Sequence, residues 1–589
     1  MQDYFRNNRL SIVAAFFAVW AIQLTSGITV RNPLTVVLFA LLIFFDKYIT
    51  DKKNREVICS FCKKDIVKIS VSIIAGVTLT YLFKGRVTGN FDNSLFKLLA
   101  IIILLAGFFG LFCILTGVNK YKKNSEKSAN DGILQETCKE KLSEKKNKGN
   151  WIFINAFICF LCWLPYFLYE FPGIMTADSL VQYEQVIGNA PYSNHHPLIH
   201  TLLIKVFYYL GLKITNDPVS AISFYTAFQM IFMALCCAVL IEHIKGKKRK
   251  IAALLFFALV PFNAVFVVTI WKDIIFAGLG MLLICITVDL REKYLQKEVE
   301  SPDKGRFFLW CQFVLCSILF MLFRSNALYG FILWLPFLIY AFKGEIKAVI
   351  ISVVIILAAV FAIKGPVMEY YGVVQPDFVE SLSVPAQQIA AIIVSDADIS
   401  NEDRELIEKV IDTTYIRELY APDFADNIKE LIRAGHPEVL ENNKAVYLGL
   451  WIREVLRHPI ISVKAWYDLV GGYIYPDFSY EVGNIDGIMN NTFGLYWKPL
   501  IAGKIIIKVK EILIKLGSFV PLYGMLWSIG TYTWLLIISL FVSIKKNKSV
   551  LCKILLMSII FTLLIAAPVV DFRYGYLLVM TMPLWALVK

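Results

Sequence analysis

Long apolar blocks alternate with short polar turns along most of the chain. A membrane-crossing helix needs about 20 mainly apolar residues. Blocks of roughly that length lie at 10–28, 33–48, 66–84, 95–117, 151–169, 218–243, 251–270, 273–290, 307–323, 328–343, 346–363, 521–543, 550–569 and 573–589. This pattern predicts an all-α polytopic membrane protein with about 13–14 transmembrane helices.

The turns between the blocks differ in charge, and this difference predicts their side of the membrane. The turn at 118–150 carries nine lysines, and smaller Lys and Arg clusters lie at 52–64, 245–250, 291–297 and 545–548. Cytoplasmic loops of membrane proteins carry an excess of Lys and Arg, so these turns are expected inside the cell. Alternating the helices then places both termini in the cytoplasm.

The composition indicates that lipid is the main solvent of the chain. Of its 589 residues, 58% are hydrophobic and 18% are charged, whereas soluble domains have about 45–50% and about 25%. Soluble enzymes, disordered chains and fibrous proteins are therefore excluded. The net charge of +13 also suits nucleic-acid binding, but the lysines sit in short loops between apolar blocks, so no nucleic-acid partner is predicted.

The same pattern divides the chain into five parts. These are four N-terminal transmembrane helices at 1–117, a basic cytoplasmic loop at 118–150, a membrane core at 151–363 with a first external loop at 170–217, a large external domain at 364–510, and C-terminal transmembrane helices at 511–589. Residues 365–500 hold 10 Lys and Arg against 21 Asp and Glu, a net charge of −11. Helical spacing at 402–418 and 425–434 predicts a small, mainly helical external domain.

Ionisable residues interrupt the apolar blocks at four turns on the predicted external face. These turns contain Asp178 with His195 and His196, Lys272, Arg324 with Asn326, and Arg573 with Tyr574. Charges at membrane depth are costly and tend to mark function. Each residue also has a structural explanation: the cations can reach up to lipid phosphates, Asp178 can cap a short helix, and the histidines can belong to a loop that begins a helix.

Taken together, these groups suit transfer of a group from a lipid phosphate. Asp178 is a carboxylate at the membrane surface that can accept a proton or hold a divalent cation. Lys272, Arg324 and Arg573 are cations at the same depth and suit a phosphate. A phosphate leaves as an anion, so this chemistry needs a base and a cationic seat but no separate general acid.

The motifs and their order resemble the GT-C superfamily of membrane glycosyltransferases, which includes protein mannosyltransferases and aminoarabinose transferases. The resemblance covers 151–589 and is greatest to a bacterial branch of that superfamily without an assigned function. The matching stretches are PGIMTADS (172–179), NHHPLIHTLL (194–203), WKDIIF (271–276), FRSNALYG (323–330), SVPAQQIA (383–390), HPIISVKAW (458–466) and DFRYGY (571–576).

The resemblance implies a polyprenyl-phosphate-linked sugar as donor, an active site outside the bacterial plasma membrane, and inversion at the anomeric carbon. Asp178 matches the acidic residue of the family's first loop, which acts as base or lies near a metal. Arg573 matches a basic residue that contacts the phosphate. Many relatives carry two adjacent acids in that loop, whereas Ser179 follows Asp178 here. A Mg or Mn ion held by Asp178, His195 and His196 therefore stays an open alternative.

The leading hypothesis is a glycosyltransferase that moves a sugar from undecaprenyl phosphate to an extracytoplasmic acceptor. Asp178 is the expected base, and the residues expected to bind the donor phosphate are Lys272, Arg324 and Arg573. The expected substrate-binding residues are His195, His196, Asn326, Gln387, Gln388 and Tyr574. Two alternatives are an envelope glycan polymerase or ligase, and a lipid or solute transporter or flippase. Neutralising Asp178 separates the enzyme from the transporter, since only the enzyme needs a base.

Overall fold

The structure, a computed structural model, describes residues 9–50, 65–116, 140–295, 304–480, 482, 486–546 and 550–586. Most of the predicted basic loop at 118–150 lies outside these residues. The chain forms two compact units. Unit 1 is Met1–Thr137, Pro476–Phe478 and Leu513–Ser528, and unit 2 is Cys138–Tyr475, Ser479–Ile512 and Ile529–Lys589.

Unit 1 is built on four apolar helices. They are α1 (Arg9–Ser26), α2 (Leu34–Thr50), α3 (Asp65–Thr88) and α4 (Ser94–Thr116). Helix α4 packs against α1 and α3, and a Cβ atom at Gly107 of α4 would lie 2.4 Å from the Phe17 carbonyl oxygen of α1. Trp20, Phe96 and Phe519 are buried together in this unit. Residues 513–528 thus group with the N-terminal helices, and not with the C-terminal helices in the predicted division at 511.

Unit 2 contains the remaining helices. They are α5 (Glu140–Tyr169), α6 (Ala177–Ile187), α7 (Leu198–Thr215), α8 (Pro218–Glu242), α9 (Lys247–Leu259), α10 (Pro261–Val268), α11 (Lys272–Leu295), α12 (Lys304–Phe323), α13 (Ser325–Ala341), α14 (Ile346–Ala362), α15 (Met368–Tyr370), α16 (Ser383–Val394), α17 (Asn401–Glu408), α18 (Ile416–Leu419), α19 (Asp426–Ala434), α20 (Pro437–Asn442), α21 (Lys444–Arg457), α22 (Pro459–Val470), α23 (Lys504–Phe519, which continues into unit 1), α24 (Ile529–Lys545), α25 (Leu551–Ala566) and α26 (Tyr576–Ala586). No strand occurs in the described residues, which hold only isolated β-bridges.

Helix α8 is the centre of the membrane part of unit 2. It packs against α5, α7 and α11, and it runs antiparallel to α5. The Thr226 hydroxyl donates to the Pro172 carbonyl at 2.8 Å, close to the C-terminal end of α5. Asn155, which lies 14 residues before the end of α5, donates to Glu242, the last residue of α8, at 3.3 Å. We call the end with Pro172 and Thr226 the site end, and the end with Asn155 and Glu242 the opposite end.

Among the described residues, eight helices are long and apolar enough to cross a membrane, or up to nine if the bent pair α9 and α10 is one span. The predicted class of multi-pass α-helical membrane protein is therefore confirmed. The predicted number of spans is higher because it included apolar helices of 10–17 residues, such as α13 and α25. The single span predicted at 251–270 is broken at Pro261, where α9 and α10 meet at 55°, because proline has no N–H and clashes with the preceding turn.

Helix α7 lies within the stretch predicted as the first external loop. It is among the eight helices that satisfy the length criterion, but it packs on the N-terminal half of α8. A Cβ at Gly211 would lie 2.6 Å from the Ala221 carbonyl oxygen, and the Phe207 and Phe228 rings stack at 4.2 Å. The Asp217 carboxylate caps α8 by accepting from the N–H groups of Val219 and Ser220, and this cap makes the turn between α7 and α8.

The predicted domain at 364–510 is mainly helical, from α15 to the start of α23. Its helices enclose their own apolar core, which includes Ile392, Ile407 and Ile416. Hydrogen bonds attach this part to the end of α25 and the residues after it. The Trp466 indole donates to the Leu564 carbonyl at 2.8 Å, the Ala425 N–H to the Pro568 carbonyl at 2.9 Å, and the Tyr473 hydroxyl to the Val569 carbonyl at 2.9 Å.

Candidate functional site

A three-segment backbone frame fixes the start of α6 beside the start of α11. Ile174 forms a parallel bridge with Thr269, and Met175 forms one with Ile488. The Trp271 indole then donates to the Thr176 hydroxyl at 2.9 Å, and Thr176 is the N-cap residue of α6. These contacts bring together two turns that lie almost a hundred residues apart in the sequence.

Asp178 lies in the first turn of α6 and contacts Arg573. The Arg573 Nη1 donates to Asp178 Oδ2 at 2.9 Å, and the two side chains are 14% and 30% exposed. The Arg573 Nε lies 2.8 Å from Asp571 Oδ2. The Asp571 carboxylate also accepts from the Arg573 backbone N–H at 2.9 Å, which holds this short turn before α26 in place. Arg573 is therefore shared between two carboxylates.

We call Asp178, Lys272, Arg324 and Arg573, with the side chains that contact them, the cluster. Aromatic rings lie against both of its arginines. The Arg573 guanidinium lies 4.9 Å from the centroid of the Trp271 ring and 5.1 Å from that of Tyr574. Arg324 lies 4.5 Å from the same Tyr574 centroid. The Tyr574 ring thus contacts both guanidinium groups, in the geometry of a cation–π interaction.

Arg324 stands in the break between α12 and α13, with extended backbone geometry. Its guanidinium forms an ion pair with Asp273 in the first turn of α11, and the two side chains are 13% and 1% exposed. The break in the helix turns the Arg324 side chain toward α11, where Asp273 is buried. Arg324 is therefore neutralised by a carboxylate from the protein itself.

Lys272 differs from the two arginines in its partner. Its Nζ lies 3.0 Å from His196 Nδ1, and no carboxylate among the described residues lies within ion-pair distance of it. Burial is the largest cause that lowers the pKa of His196, and the positive charge of Lys272 is the second; together they bring it to about 3. His196 is thus neutral near pH 7. Because Lys272 donates to Nδ1, the imidazole proton lies on Nε2, where it can be donated to a ligand.

Electrostatics keep Asp178 ionised. Burial favours the protonated form, but the charges of Arg573 and Lys272 outweigh it and hold the pKa of this carboxyl well below its usual range. The N-terminal turn of α6 adds favourable partial charge. At Asp571, the effect of burial is larger than that of the Arg573 charge, so the pKa of this carboxyl is raised. Two neighbouring carboxyls are therefore shifted in opposite directions, a pattern found in acid–base sites.

Several predicted site residues are used elsewhere in the fold. Asn326 donates to the Thr562 hydroxyl at 3.1 Å and joins α13 to α25. Gln387 donates to the Ala421 carbonyl, and Gln388 donates to the Ser462 carbonyl at 3.0 Å. Both glutamines are buried within the 364–510 part, so the predicted role in substrate binding has no support from their contacts.

The two predicted histidines lie side by side but in different environments. The ring centroids of His195 and His196 are 4.8 Å apart; His196 is buried, whereas His195 is exposed. His195 lies near Asp377 and Glu380 of the 364–510 part, since its charge acts on both. A third histidine, His200, is fully buried between the Gln182 amide and the Tyr225 hydroxyl and has a structural role.

The residues named as metal ligands do not form a donor set. Among the described residues, no group of three or more His, Cys, Asp or Glu side chains is arranged to hold a metal ion. Asp178 faces the Arg573 guanidinium and His196 Nδ1 faces the Lys272 ammonium, so cations occupy the positions next to both donors.

Three members of the cluster were not among the predicted site residues: Trp271, Asp273 and Asp571. Each is adjacent to, or two positions from, a predicted cation in the WKD and DFR turns. A carboxylate next to a cation is a signal in the sequence for an ion pair, but it does not say which cation is the partner. The structure pairs Asp273 with Arg324.

Replacing Arg324 by Met should destabilise the protein by about 3–5 kcal/mol, because it leaves the buried Asp273 without its partner. The double variant Arg324→Met with Asp273→Asn should recover most of this loss. The measurement is the apparent Tm of purified protein in detergent.

Arg417→Met is the matched control for this prediction. Arg417 pairs with Asp396 through side chains that are 54% and 77% exposed, and exposed pairs contribute about 0–1 kcal/mol. Equal losses of Tm in Arg324→Met and Arg417→Met would contradict the assignment of a buried pair.

The fold and the cluster define a multi-pass α-helical membrane protein with a buried network of charged residues at one end of its helices. The chain belongs to the family described as "Family of unknown function (DUF6020)", which matches residues 187–589. No curated protein and no solved structure matches the chain. The family match contains His196, Lys272, Arg324 and Arg573 and begins nine residues after Asp178.

Proposed function

We propose that this protein is a membrane glycosyltransferase of the GT-C type. It transfers a sugar from a polyprenyl-phosphate donor, of which undecaprenyl phosphate is the leading choice, to an acceptor outside the bacterial plasma membrane. The observation that carries the proposal is the contact of the ionised Asp178 with Arg573, next to Lys272 and His196. A base and a set of phosphate-binding groups thus stand within one cluster at the site end of the apolar helices.

The donor phosphate fits Lys272 best. This residue has no carboxylate partner among the described residues, and a partly buried cation gains from an anion that replaces lost solvation. The Nε2–H of His196 is a second donor for a phosphate oxygen. Arg573 can extend a further N–H to the same phosphate, while Arg324 is engaged by Asp273 and supports the Tyr574 ring.

The transfer step balances with these groups alone. The acceptor hydroxyl gives its proton to Asp178 as its oxygen bonds to the anomeric carbon of the sugar. The bond from that carbon to the phosphate oxygen breaks, and its electron pair stays on the polyprenyl phosphate. Lys272 and Arg573 stabilise the charge that develops there. Attack from the side opposite to the phosphate inverts the anomeric carbon.

Donor binding also prepares Asp178 for its role. In the ligand-free protein Arg573 holds the pKa of Asp178 well below its usual range, which makes a carboxylate a weak base. A donor phosphate that shares Arg573 weakens this effect. The pKa of Asp178 then rises, and proton transfer becomes more favourable when the donor is in place.

The test uses the full chain in nanodiscs with a panel of labelled undecaprenyl-phosphate sugars and mixed acceptors from a bacterial envelope fraction. Loss of sugar from one donor and its appearance on an acceptor supports the proposal. Movement of an intact lipid-linked sugar across a liposome membrane, without cleavage of the sugar–phosphate bond, overturns it in favour of a flippase.

A further inference from the structure

A cavity lined by basic and apolar side chains lies at the opposite end of unit 2. Its volume is about 790 Å³, within the range of about 300–1,000 Å³ that is usual for ligand sites. Its basic lining residues are His243, Lys245, Lys247, Lys248, Arg249 and Lys553. Glu292 is the one acidic residue among the described lining residues. The cavity is therefore strongly cationic.

Helix α11 separates this cavity from the candidate site. Lys272 begins the helix at the site end, while Ile284, Val288 and Glu292 line the cavity further along it. From Lys272 to Glu292 an α-helix rises about 30 Å. That is about the thickness of the hydrocarbon core of a bilayer, so the two polar regions stand at opposite ends of a membrane-crossing helix.

The basic residues at the cavity are arranged unfavourably for the protein alone. Lys247, Lys248 and Arg249 occupy the first turn of α9, and no acidic residue is present in that turn. The N-terminal end of a helix carries a positive partial charge, so cations there are destabilising and an anion is stabilising. Among the described residues, neither Lys247 nor Lys248 has an ion-pair partner. An external anion would satisfy both the side chains and the helix end.

Two deeper residues hold positive charge at the floor of the cavity. Lys553 is 9% exposed, and its Nζ donates to Ser543 Oγ at 2.5 Å and to the Ser539 carbonyl at 3.0 Å. Burial opposes the charge of His243, but a hydrogen bond with Asp289 prevails and raises its pKa to about 11. Because Asp289 balances the charge of His243, it is Lys553 that extends the positive charge from the exposed rim into the interior.

Apolar residues complete the lining. Ile284, Val288, Leu584 and Trp585 lie along the cavity beside the cations. An excess of Lys and Arg in cytoplasmic loops accounts for the charge of this turn, but it accounts for neither a cavity nor a buried lysine. Basic pockets between the ends of membrane helices suit lipid phosphate headgroups.

We propose that this cavity is a binding site for a phosphate group, carried by an anionic phospholipid or free in solution. The site is separate from the candidate glycosyltransferase site and does not depend on the function proposed for it.

The test titrates the detergent-purified full chain with dioleoylphosphatidylglycerol or dioleoylphosphatidylcholine and counts bound lipid by native mass spectrometry. A parallel arm measures the rise in apparent Tm with inorganic pyrophosphate. In the double variant Lys247→Gln, Lys248→Gln, the probe that binds the wild type, phosphatidylglycerol or pyrophosphate, should bind about tenfold more weakly. Each lysine near an anionic headgroup contributes a favourable contact. Preference for phosphatidylglycerol identifies a lipid, and a response to pyrophosphate alone identifies a soluble phosphate.

The matched control is Lys343→Gln with Lys347→Gln. These exposed lysines lie near the same end of unit 2, where the Gly344 N–H donates to the Tyr294 hydroxyl at 3.0 Å, but they do not line the cavity. The control should bind both probes as the wild type does. Equal losses in the two double variants, or no loss with either probe, would overturn the proposal.

A third variant separates a ligand effect from a folding defect. Glu292→Gln removes the acidic lining residue and releases Lys245, which lies 3.7 Å from it. Binding of the phosphate probe should become about two- to threefold tighter, because repulsion of the anion is removed. A damaged fold cannot produce tighter binding, and weaker binding in this variant would count against the site.

Discussion

Asp178→Asn should lower the rate of sugar transfer from the lipid donor by about 10²–10⁴-fold, the usual contribution of a general base. Asparagine keeps an oxygen that can accept from Arg573, and Arg573 also keeps its contact with Asp571. The fold should therefore survive. Donor binding should be retained or slightly strengthened, since one negative charge near the phosphate is lost. Single-turnover assays with labelled donor give the rate, and filter binding gives the donor Kd.

Glu184→Gln is the control for this prediction. Glu184 lies on the same short helix, α6, and has no ion-pair partner among the described residues. It should turn over donor as the wild type does. Equal donor consumption by wild type and Asp178→Asn would remove Asp178 from the mechanism while leaving the rest of the cluster open to another base.

Arg573→Gln should lower kcat by about 10²–10³-fold, because it removes a group that stabilises the leaving phosphate. It should also change the pH profile of the residual activity. The transfer needs ionised Asp178, so activity is lost as the pH falls through the pKa of this carboxyl. In the free wild-type enzyme, which kcat/KM reports, the Arg573 charge keeps that pKa well below its usual range, and Asp178 causes no loss of kcat/KM between pH 5 and 8.

Without Arg573, burial is opposed only by Lys272 and weaker effects, so the pKa of Asp178 rises. The acidic limb of kcat/KM in Arg573→Gln should therefore move upward in pH. Arg573→Lys retains the charge and should keep the limb near its wild-type position, although it loses the guanidinium contacts with Trp271 and Tyr574. An unchanged profile in Arg573→Gln would show that the catalytic base is not Asp178.

The charge balance of the cluster is relevant to both predictions. Two of the three predicted phosphate-binding cations are already paired with carboxylates: Arg324 with Asp273, and Arg573 with Asp178 and Asp571. A preformed network of this kind holds its groups in fixed positions and avoids the reorganisation that solvent would require. The same network leaves Lys272 as the cation most available to an incoming phosphate.

Much of this protein follows from its sequence alone. The length of the apolar blocks determines a multi-pass helical membrane protein, because a backbone in lipid must satisfy its hydrogen bonds internally. Ionisable residues in the apolar chain identified four turns, and all four meet: Asp178 contacts Arg573, Lys272 lies beside them, and Arg324 lies against the Tyr574 ring. The cost of burying a charge makes such residues recognisable without a structure.

Only the tertiary structure decided the partners. Residues next to each other on a helix point in different directions, which argues against a pair of Asp273 with Lys272. The sequence cannot tell that the partner is Arg324, because that contact depends on how α11 packs against the turn before α13. It also could not show that the amides of Asn326, Gln387 and Gln388 donate to other parts of the protein, because an amide that joins two elements has the same composition as an amide that binds a ligand. The cavity between Lys247 and Lys553 joins residues about 300 positions apart. Charge and apolar length are properties of each segment, whereas ion pairs and cavities depend on how distant segments pack.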